Sequence, residues 1–463
     1  MKKGILWFKN DLRLHDNESL VKAVENQYEI IGVYCIDPRW FEFTEYNFRK
    51  MGVNRYIFLK QCLEDLKENL KKIGGDLLVV VGEPEHEIPK IVAQYQIEAI
   101  FAEQEYASEE NNMVSKLIEN LPKNFNFQWS WGKTLYHLDD IPFDIHEIPL
   151  TSKAFRINTT KNTNVRQTLA IPENISFIKS SQSTDLPSLS ALGFSDEELK
   201  NQAPFLEGGE SKALVRLNYY LYETQLLTNY KWTRNKSLGK DFSSKFSAYM
   251  ALGCLSSRMI YKQVKHYETT IKKNISTWWL IFEVVWRDFF TFKLMRFQHK
   301  VFQTSGIKGK PTTFENNEEW FKKWCSGNTG IPFVDANIRQ LNQTGFMSNR
   351  GRVNCSSFLI HDYRIDWTWG AAYFESKLID YDVASNWLNW HTQAFEIWYT
   401  NSVNQPLKYK EQQFIREWVP EIKHLNDQEV LIPWESEEVN NYPKPVEIFS
   451  KWTRAINAIK KLE

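Results

Sequence analysis

The sequence predicts a two-part chain, a doubly wound parallel α/β domain followed by a larger all-helical domain. Three observations carry this. Over the first 130 residues short apolar runs alternate with stretches of helical period, the signature of βαβ units. From Glu210 onward the period is helical almost throughout. Of 18 tryptophans only Trp7, Trp40, Trp129 and Trp131 precede residue 230, so the two halves differ in build. A chain of 463 residues also exceeds one ordinary core, at roughly 100–200 residues per domain.

Taken in order, GILWF (4–8), EIIGVYCI (29–36), DLLVVVG (76–82) and IEAIFAE (97–103) read as buried parallel strands. Between them lie amphipathic stretches such as Arg55–Lys72, where Ile57, Phe58, Leu63, Leu66 and Leu70 share a helical face. Ligands of such sheets sit beyond the carboxyl ends of the strands. The first strand leads into Lys9-Asn-Asp-Leu-Arg13 rather than a GxGxxG turn, so a standard dinucleotide fingerprint is absent. Residues 1–130 are the expected α/β domain and 131–209 a connector. The connector carries Pro142, Pro149, Pro172, Pro187 and Pro204, a Ser-rich run over 180–190 and little sustained period. Residues 210–463 are the helical domain, with helices predicted over 210–230, 256–270, 276–296, 317–325, 333–344, 351–363 and 369–380. No internal repeat or coiled-coil heptad is present.

Composition narrows the function classes. Hydrophobic content of 42% with 25% charged residues is that of a folded chain, not a disordered one. No window reaches the ~20 apolar residues of a membrane span, and the N-terminus lacks a signal-peptide core, so a membrane is not an expected partner. Five scattered cysteines, Cys35, Cys62, Cys254, Cys325 and Cys355, are odd in number and form no CxxC pair. They argue against a disulfide framework or structural zinc and read as small core residues of a cytoplasmic protein. The 57 basic and 57 acidic residues cancel, so any nucleic-acid surface must be local.

Four segments carry chemistry. Asp241-Phe-Ser-Ser-Lys-Phe-Ser247 is a Ser-rich turn opening onto a helix, with hydroxyls and free N–H groups suited to phosphate; an N-cap box would need only one of its serines. Glu283-Val-Val-Trp-Arg-Asp-Phe-Phe290 sets Glu283 and Arg287 four apart on one face, either as an ion pair or, with Trp286 flanking them, as the rim of a site for a planar heteroaromatic ligand. The third runs from Thr329 through Asp335 and Asn337 to Gly345-Phe-Met-Ser-Asn-Arg-Gly-Arg352. The fourth, Leu378–Trp390, spaces Asp380, Asp382 and Asn386 like a calcium loop but lacks its glycine and terminal glutamate, so no metal is expected. Lys231, Arg234 and Lys236 read equally as the lining of a DNA groove or as a solvated turn.

These residues together resemble the photolyase/cryptochrome family. The resemblance rests on Trp7-Phe-Lys-Asn-Asp-Leu-Arg-Leu-His-Asp-Asn17, Asp37-Pro-Arg-Trp-Phe41, TRN (233–235), WRDFF (286–290), DANIRQL (335–341), TGFMSNRGR (344–352) and DYDVASNW (380–387). It holds in order from residue 4 to about 390 and recurs at FIREWVPE (414–421). The fine pattern is nearest the DASH-type cryptochromes. The resemblance implies a helical domain holding FAD and a light-driven flavoprotein, which repairs cyclobutane pyrimidine dimers in DNA by electron transfer from excited reduced flavin. Tyr230 and the turn Ser243, Ser244, Lys245, Phe246 and Ser247 would meet the flavin phosphates. Arg287 and Arg352 would neighbour the cofactor, while Asp380, Asp382 and Asn386 would contact its isoalloxazine and ribose side. Asn349 matches the position facing flavin N5, where a neutral amide tolerates anionic reduced flavin better than a carboxylate does. Glu283 would hydrogen-bond the flipped base, with Trp286 as an apolar wall. DASH-type relatives imply a single-stranded substrate, for which a basic groove and stacking suffice. A monomer is expected.

The sequence departs from the family pattern in two places. Trp390 and Trp367 match the inner members of an electron-relaying tryptophan triad, but the outer position is Phe314, leaving Trp320 or Trp324 as substitutes. After Trp390 a Gly-rich loop bordering the lesion cavity is replaced by His391-Thr-Gln-Ala-Phe-Glu-Ile-Trp-Tyr-Thr400, which favours the alternative of a photoreceptor that binds FAD and signals through a partner protein without repairing DNA. For an antenna pigment, Glu109 resembles the carboxylate that holds the pterin of methenyltetrahydrofolate; an acidic helix start favoured by the dipole is the plainer reading. His361 and His391 lack the flanking pattern of branches that use such histidines as proton donors.

Overall fold

A computed structural model describes residues 1–180, 185–200, 202–397 and 399–461. Five parallel strands, β1 (Lys2–Trp7), β2 (Tyr28–Ile36), β3 (Leu77–Val81), β4 (Ala99–Glu103) and β5 (Asn126–Ser130), form one sheet in the order β3-β2-β1-β4-β5. The predicted strands are present within a residue or two at each end. The fifth is an addition: Asn-Phe-Gln-Trp-Ser is a half-exposed edge with no apolar run to announce it. β1 pairs with β2 on one side and β4 on the other, Trp7 standing opposite Val33 and Ala102. The strand order therefore reverses at β1, and the switch point opens at its carboxyl end. Helices α1 (Glu18–Glu25) and α2 (Val53–Lys72) cover one face, and α3 (Pro84–Tyr95) and α4 (Ser108–Glu119) the other.

The connector is mostly irregular but not unstructured. It carries α5 (Ser152–Asn162) and the single turn α6 (Asp196–Leu199). Residues 181–184 of the Ser-rich run lie outside the described residues. Ile30 exchanges backbone hydrogen bonds with Ser176 and Ile178, so the connector extends the sheet where β3 has not yet begun.

The helical part comprises α7 (Glu210–Asn218), α8 (Tyr230–Thr233), α9 (Phe246–Ala251), α10 (Ser257–Thr270), α11 (Ile275–Phe297), α12 (Glu318–Ser326), α13 (Pro332–Thr344), α14 (Asn349–Ser357), α15 (Trp367–Lys377), α16 (Val383–Phe395), α17 (Gln405–Tyr409), α18 (Gln412–Trp418) and α19 (Thr453–Ile459). Two predicted helices are shorter than expected. The one over 210–230 gives way to π-type turns at Tyr219–Glu223, and the one over 351–363 does so at Phe358–Asp362. A π-type turn changes the hydrogen-bond ladder over a few residues, and neither run contains a Gly or Pro, so the sequence carries no stop signal there. The core of the sheet's α1/α2 face continues into α10 and α11, and a second core gathers around Trp324, Trp367, Phe358 and Trp452. All five cysteines are unpaired thiols. Among the described residues no helix is long and apolar enough to cross a membrane, and no cluster of His, Cys, Asp or Glu could hold a metal ion.

Candidate functional site

The longest helix fixes the site. α11 starts at a reciprocal cap, Asn274 accepting from Ser276 and Thr277 while Thr277 returns a bond to the Asn274 N–H. Its 23 residues are apolar on nearly every side, which buries it between neighbours. One face, carrying Glu283, Trp286, Arg287 and Phe290, lines a cleft of about 300 Å³ closed by α8, α9, α14 and α16. Tyr230, the turn 243–247, Asn349, Arg352, Asp380, Asp382, Asn386 and Trp390 line the same cleft. Segments separated by up to 160 positions in the chain thus converge on one cavity.

At one end lies the Ser-rich turn. Lys245 has a left-handed backbone (φ +63°) and is buried. Its ammonium bonds Ser243 Oγ at 2.7 Å and lies over the Phe242 ring, with no carboxylate within ion-pairing distance among the described residues. Burial first, and Arg216 second, push its pKa well below the ordinary lysine value. Arg216 is itself turned into the segment, donating to the carbonyls of Ser243 and Ser244. A buried cation short of an anion, beside hydroxyls and free N–H groups, is the donor set that a diphosphate requires. FAD therefore fits at this end.

The middle of the cleft is held by two ion pairs. Arg352 bonds both oxygens of Asp380, at 3.0 and 2.9 Å. Arg287 bonds Asp382 Oδ2 at 3.0 Å and the Lys133 carbonyl. Asp382 is also the cap of α16, accepting from the Ser385 N–H at 2.8 Å. Burial opposes its charge, but Arg287 and Ser385 outweigh it and keep the carboxyl below the usual range. Asn386 donates to the Ala371 carbonyl at 3.0 Å, and Asn349 opens α14 directly after its cap Ser348.

Glu283 does not pair with Arg287, the simpler of the two readings of that motif. Its Oε1 accepts from Arg234 Nη1 at 2.6 Å and from Trp279 Nε1 at 2.9 Å, while Oε2 carries no hydrogen bond among the described residues. Burial raises its pKa. Arg234, which the sequence left between a DNA groove and a solvated turn, lies 49 positions from Glu283 and gives no local signal of that contact. Trp279, which the sequence did not single out, stands four residues before Glu283 on one helix face, a spacing that could have found it. The Lys231 ammonium lies 4.9 Å from the ring centres of both Trp232 and Trp279.

Trp390 is buried against the cleft, its ring 6.2 Å from that of Trp324. Trp367 lies outside the cleft lining, in ring contact with Trp387, His391 and Phe395 at 6.0–6.3 Å. Phe314 and Phe395 line a separate surface depression. Trp320 contacts Tyr363, so of the two substitute tryptophans Trp324 is the one that meets Trp390. Over the altered segment α16 runs on to Phe395, and Gln393 and Ile397 form part of the cleft wall; Trp398 lies outside the described residues.

A second cavity, of about 680 Å³, opens beyond the carboxyl ends of β1, β2 and β4 and shares Tyr381 and Asp382 with the first. Glu109 stands at its edge, 70% exposed and ion-paired with Lys50. Glu110, which the sequence reading passed over, lines the same cavity with Oε2 buried and unpartnered, and burial, then Glu105, raises its pKa to about 7. Adjacent residues at a helix start point about 100° apart, so one of two neighbouring glutamates faces solvent and the other the cavity.

Two family models match the chain, DNA photolyase over residues 4–173 and the FAD binding domain of DNA photolyase over residues 279–461. A cryptochrome DASH from Gloeobacter violaceus is 39% identical over 464 residues, covering 96% of this chain and 93% of its own. The structure of a Synechocystis cryptochrome matches with a TM-score of 0.91 at 38% identity, over 100% of this chain and 99% of that one. An archaeal photolyase from Sulfolobus tokodaii, solved with two FAD molecules, matches with a TM-score of 0.79 at 26% identity, over 99% and 98%.

Proposed function

The chain belongs to the photolyase/cryptochrome family with an FAD-binding domain in its helical half, and on that premise we propose that it is a DASH-type flavoprotein that repairs cyclobutane pyrimidine dimers in single-stranded DNA under blue or near-UV light. The observation that carries the proposal is Glu283. Two donors pin one of its oxygens and leave the other free beside the Trp286 indole, at the edge of a cleft whose far end is built for phosphate.

Bound FAD supplies the light-excited electron that opens the cyclobutane ring. The residues bind and orient. Lys245 and the turn 243–247 neutralise the diphosphate, and the Arg352–Asp380 and Arg287–Asp382 pairs fix the ring end without adding net charge. Asn349 offers a neutral amide where a carboxylate would oppose negative charge on the flavin. Glu283 Oε2 accepts from a base N–H, and Trp286 excludes water from its face. A dimer unstacks more cheaply than an intact base, and cheaper still in a single strand.

The second reading, a photoreceptor that signals through a partner without repair, is favoured by Gln393 and Ile397, which form part of the cleft wall in the segment where the DASH-type resemblance implies a Gly-rich loop. One experiment separates the two. The FAD-loaded, reduced protein is illuminated with a dimer-containing single-stranded oligonucleotide while absorbance near the thymine maximum is followed. Recovery that requires both light and FAD supports repair; no recovery at saturating protein sinks it. The second cavity is assigned to an antenna pigment, methenyltetrahydrofolate being one candidate, with Glu110 beside Glu109 as the carboxyl offered to its ring.

A further inference from the structure

We propose that an aromatic strip outside the cleft, running from Trp232 through Trp279 and Trp278 to Phe282, is a stacking platform for the bases of a single-stranded nucleic acid that flank the one held in the cleft. The inference rests on the repair reading for its direction, but the residues its test alters, Trp232, Trp278 and Lys231, lie outside the machinery that reading uses. Trp232 is 69% exposed and Trp278 42% exposed, the opposite of what packing alone would select for the largest side chain.

Contacts along the strip are continuous. The Lys231 ammonium sits between the rings of Trp232 and Trp279, 4.9 Å from each centre. Trp279 meets Trp278 edge-on at 5.6 Å, and Trp278 stacks with Phe282 at 5.3 Å and 26°. The Arg156 guanidinium lies 5.7 Å from Trp278 and 5.5 Å from Phe282. Neither Lys231 nor Arg156 has a carboxylate partner among the described residues, and Arg156 Nε makes no hydrogen bond at all. The strip then enters the site directly. Phe282 meets Trp286 at 5.7 Å, and Trp279 donates to Glu283.

Rings alternating with unpaired cations fit one occupant best. Each base offers a π-face to an indole and each phosphate a charge to a lysine or arginine. A chain with no net charge that concentrates uncompensated cations on an aromatic surface has made that surface locally electropositive. An apolar protein partner would want the rings without the cations, and a membrane would want a far larger cationic field.

The test uses the full-length FAD-loaded protein in the dark. An undamaged, fluorescently labelled oligothymidylate of roughly 15 nucleotides, within the span that such surfaces cover, is titrated and followed by anisotropy. Trp232→Ala with Trp278→Ala should weaken binding about 10- to 100-fold, as expected for the loss of one or two stacked bases. Trp278→Phe should keep most of it. Lys231→Gln should lower the slope of log affinity against log salt by about 0.7. Light-driven repair of a dimer-containing tetranucleotide, too short to reach the strip, should be the same in the double variant as in the parent. Unchanged oligothymidylate affinity in a double variant with native circular dichroism and full flavin content overturns the platform, as does an equal loss in Trp278→Phe. Absence of repair by every protein, with oligothymidylate binding still lost in the double variant, overturns the repair reading and leaves the platform standing.

Discussion

Glu283 shows what a single residue's surroundings add to its motif. Its Oε1 is held by Arg234 and Trp279, so replacing it by alanine removes a base acceptor and leaves two donors unpaired at the cleft edge. A hydrogen bond to a charged group contributes about 1.5–3 kcal/mol. Glu283→Ala should therefore weaken binding of a dimer-containing oligonucleotide by about 10- to 100-fold, with affinity for the undamaged strand unchanged; equal losses on both would show that Glu283 only shapes the surface. Phe314 carries the second prediction at this scale. Phenylalanine is harder to oxidise than tryptophan, and Phe314 shares its surface depression with Phe395, which touches Trp367. Phe314→Trp should speed photoreduction of oxidised flavin severalfold and lengthen the life of a tryptophanyl radical in transient absorption. If the parent already photoreduces quickly and the variant is no faster, the electron leaves through Trp324, whose ring meets Trp390. The lining of the cleft was largely legible from motif residues because their types encode their chemistry. The contact of Arg234 with Glu283 and the inward facing of Glu110 were not, since a lateral partner or the facing of one of two adjacent glutamates depends on the packed helices. Trp279, four residues before Glu283 on α11, was within reach of spacing alone.

At the scale of elements, β1 to β4 were readable because a strand buried on both faces must be an apolar run, whereas β5 is an edge and needs none. α16 was read as a motif rather than a helix, although its cap is the same Asp382 that holds Arg287: one carboxylate starts the element and organises the site. Near its other end, His391 ties α16 to the loop after α11. His391 Nε2 accepts the Ile307 N–H at 3.1 Å, which requires the neutral ring. Burial first, then Lys293, with Lys308 adding and Glu396 opposing, lowers its pKa to about 4, against about 6.5 in an unfolded chain. The unfolded chain therefore takes up its proton first as pH falls. The stability from the neutral ring is whole above pH 6.5 and is lost progressively towards pH 4, up to about 3 kcal/mol. Denaturant midpoints measured at intervals from pH 7 to pH 4.5 should fall more steeply for the parent than for His391→Phe, whose ring packs against Phe395 and Trp367 without titrating. Parallel curves would remove His391 from this role. Asp288 makes a similar tie, its two oxygens accepting the N–H groups of Leu135 and Tyr136 at 2.9 and 3.0 Å, although burial outweighs those bonds and raises its pKa to about 7. Asp288→Ala would strand both donors where the connector meets α11 and should cost about 2–4 kcal/mol, read as a lowered thermal midpoint.

The molecule as a whole depends on how closely its two parts approach. The segment after β1 is driven into the helical part: the Leu12 N–H bonds the Leu252 carbonyl at 3.0 Å, Arg13 Nη1 bonds the Gly253 carbonyl at 2.8 Å, and Asp16 pairs with Arg258 at 2.8 Å and accepts from Ser256 at 2.6 Å. Asp11 is buried in the same seam, where burial, then Glu103, raises its pKa to about 6. This seam explains why Lys9–Arg13 stands where a phosphate-binding glycine turn would otherwise be: the loop at the switch point grips the second domain. The two cavities share Tyr381 and Asp382 across it, so their separation is set by how tightly it closes. Gly253 is one point of close backbone approach. At φ +68° it already favours glycine, and a Cβ there would lie 2.0 Å from the Asn10 carbonyl oxygen and 2.6 Å from Asp11 Cα, both backbone. Gly239 has a comparable φ of +80° with nothing within 4 Å of its Cβ position, which makes it the control. Gly239→Ala should carry the left-handed backbone cost alone, about 1–2 kcal/mol. Gly253→Ala adds the displacement of one part from the other, for a total of about 3 kcal/mol or more. It should also release FAD more readily on dilution and lower energy transfer from any pigment bound in the second cavity, because both sites border the seam that must open. If Gly253→Ala melts no lower than Gly239→Ala and keeps its flavin equally well, the seam yields without cost, and the spacing of the two cavities is set by the helical part alone.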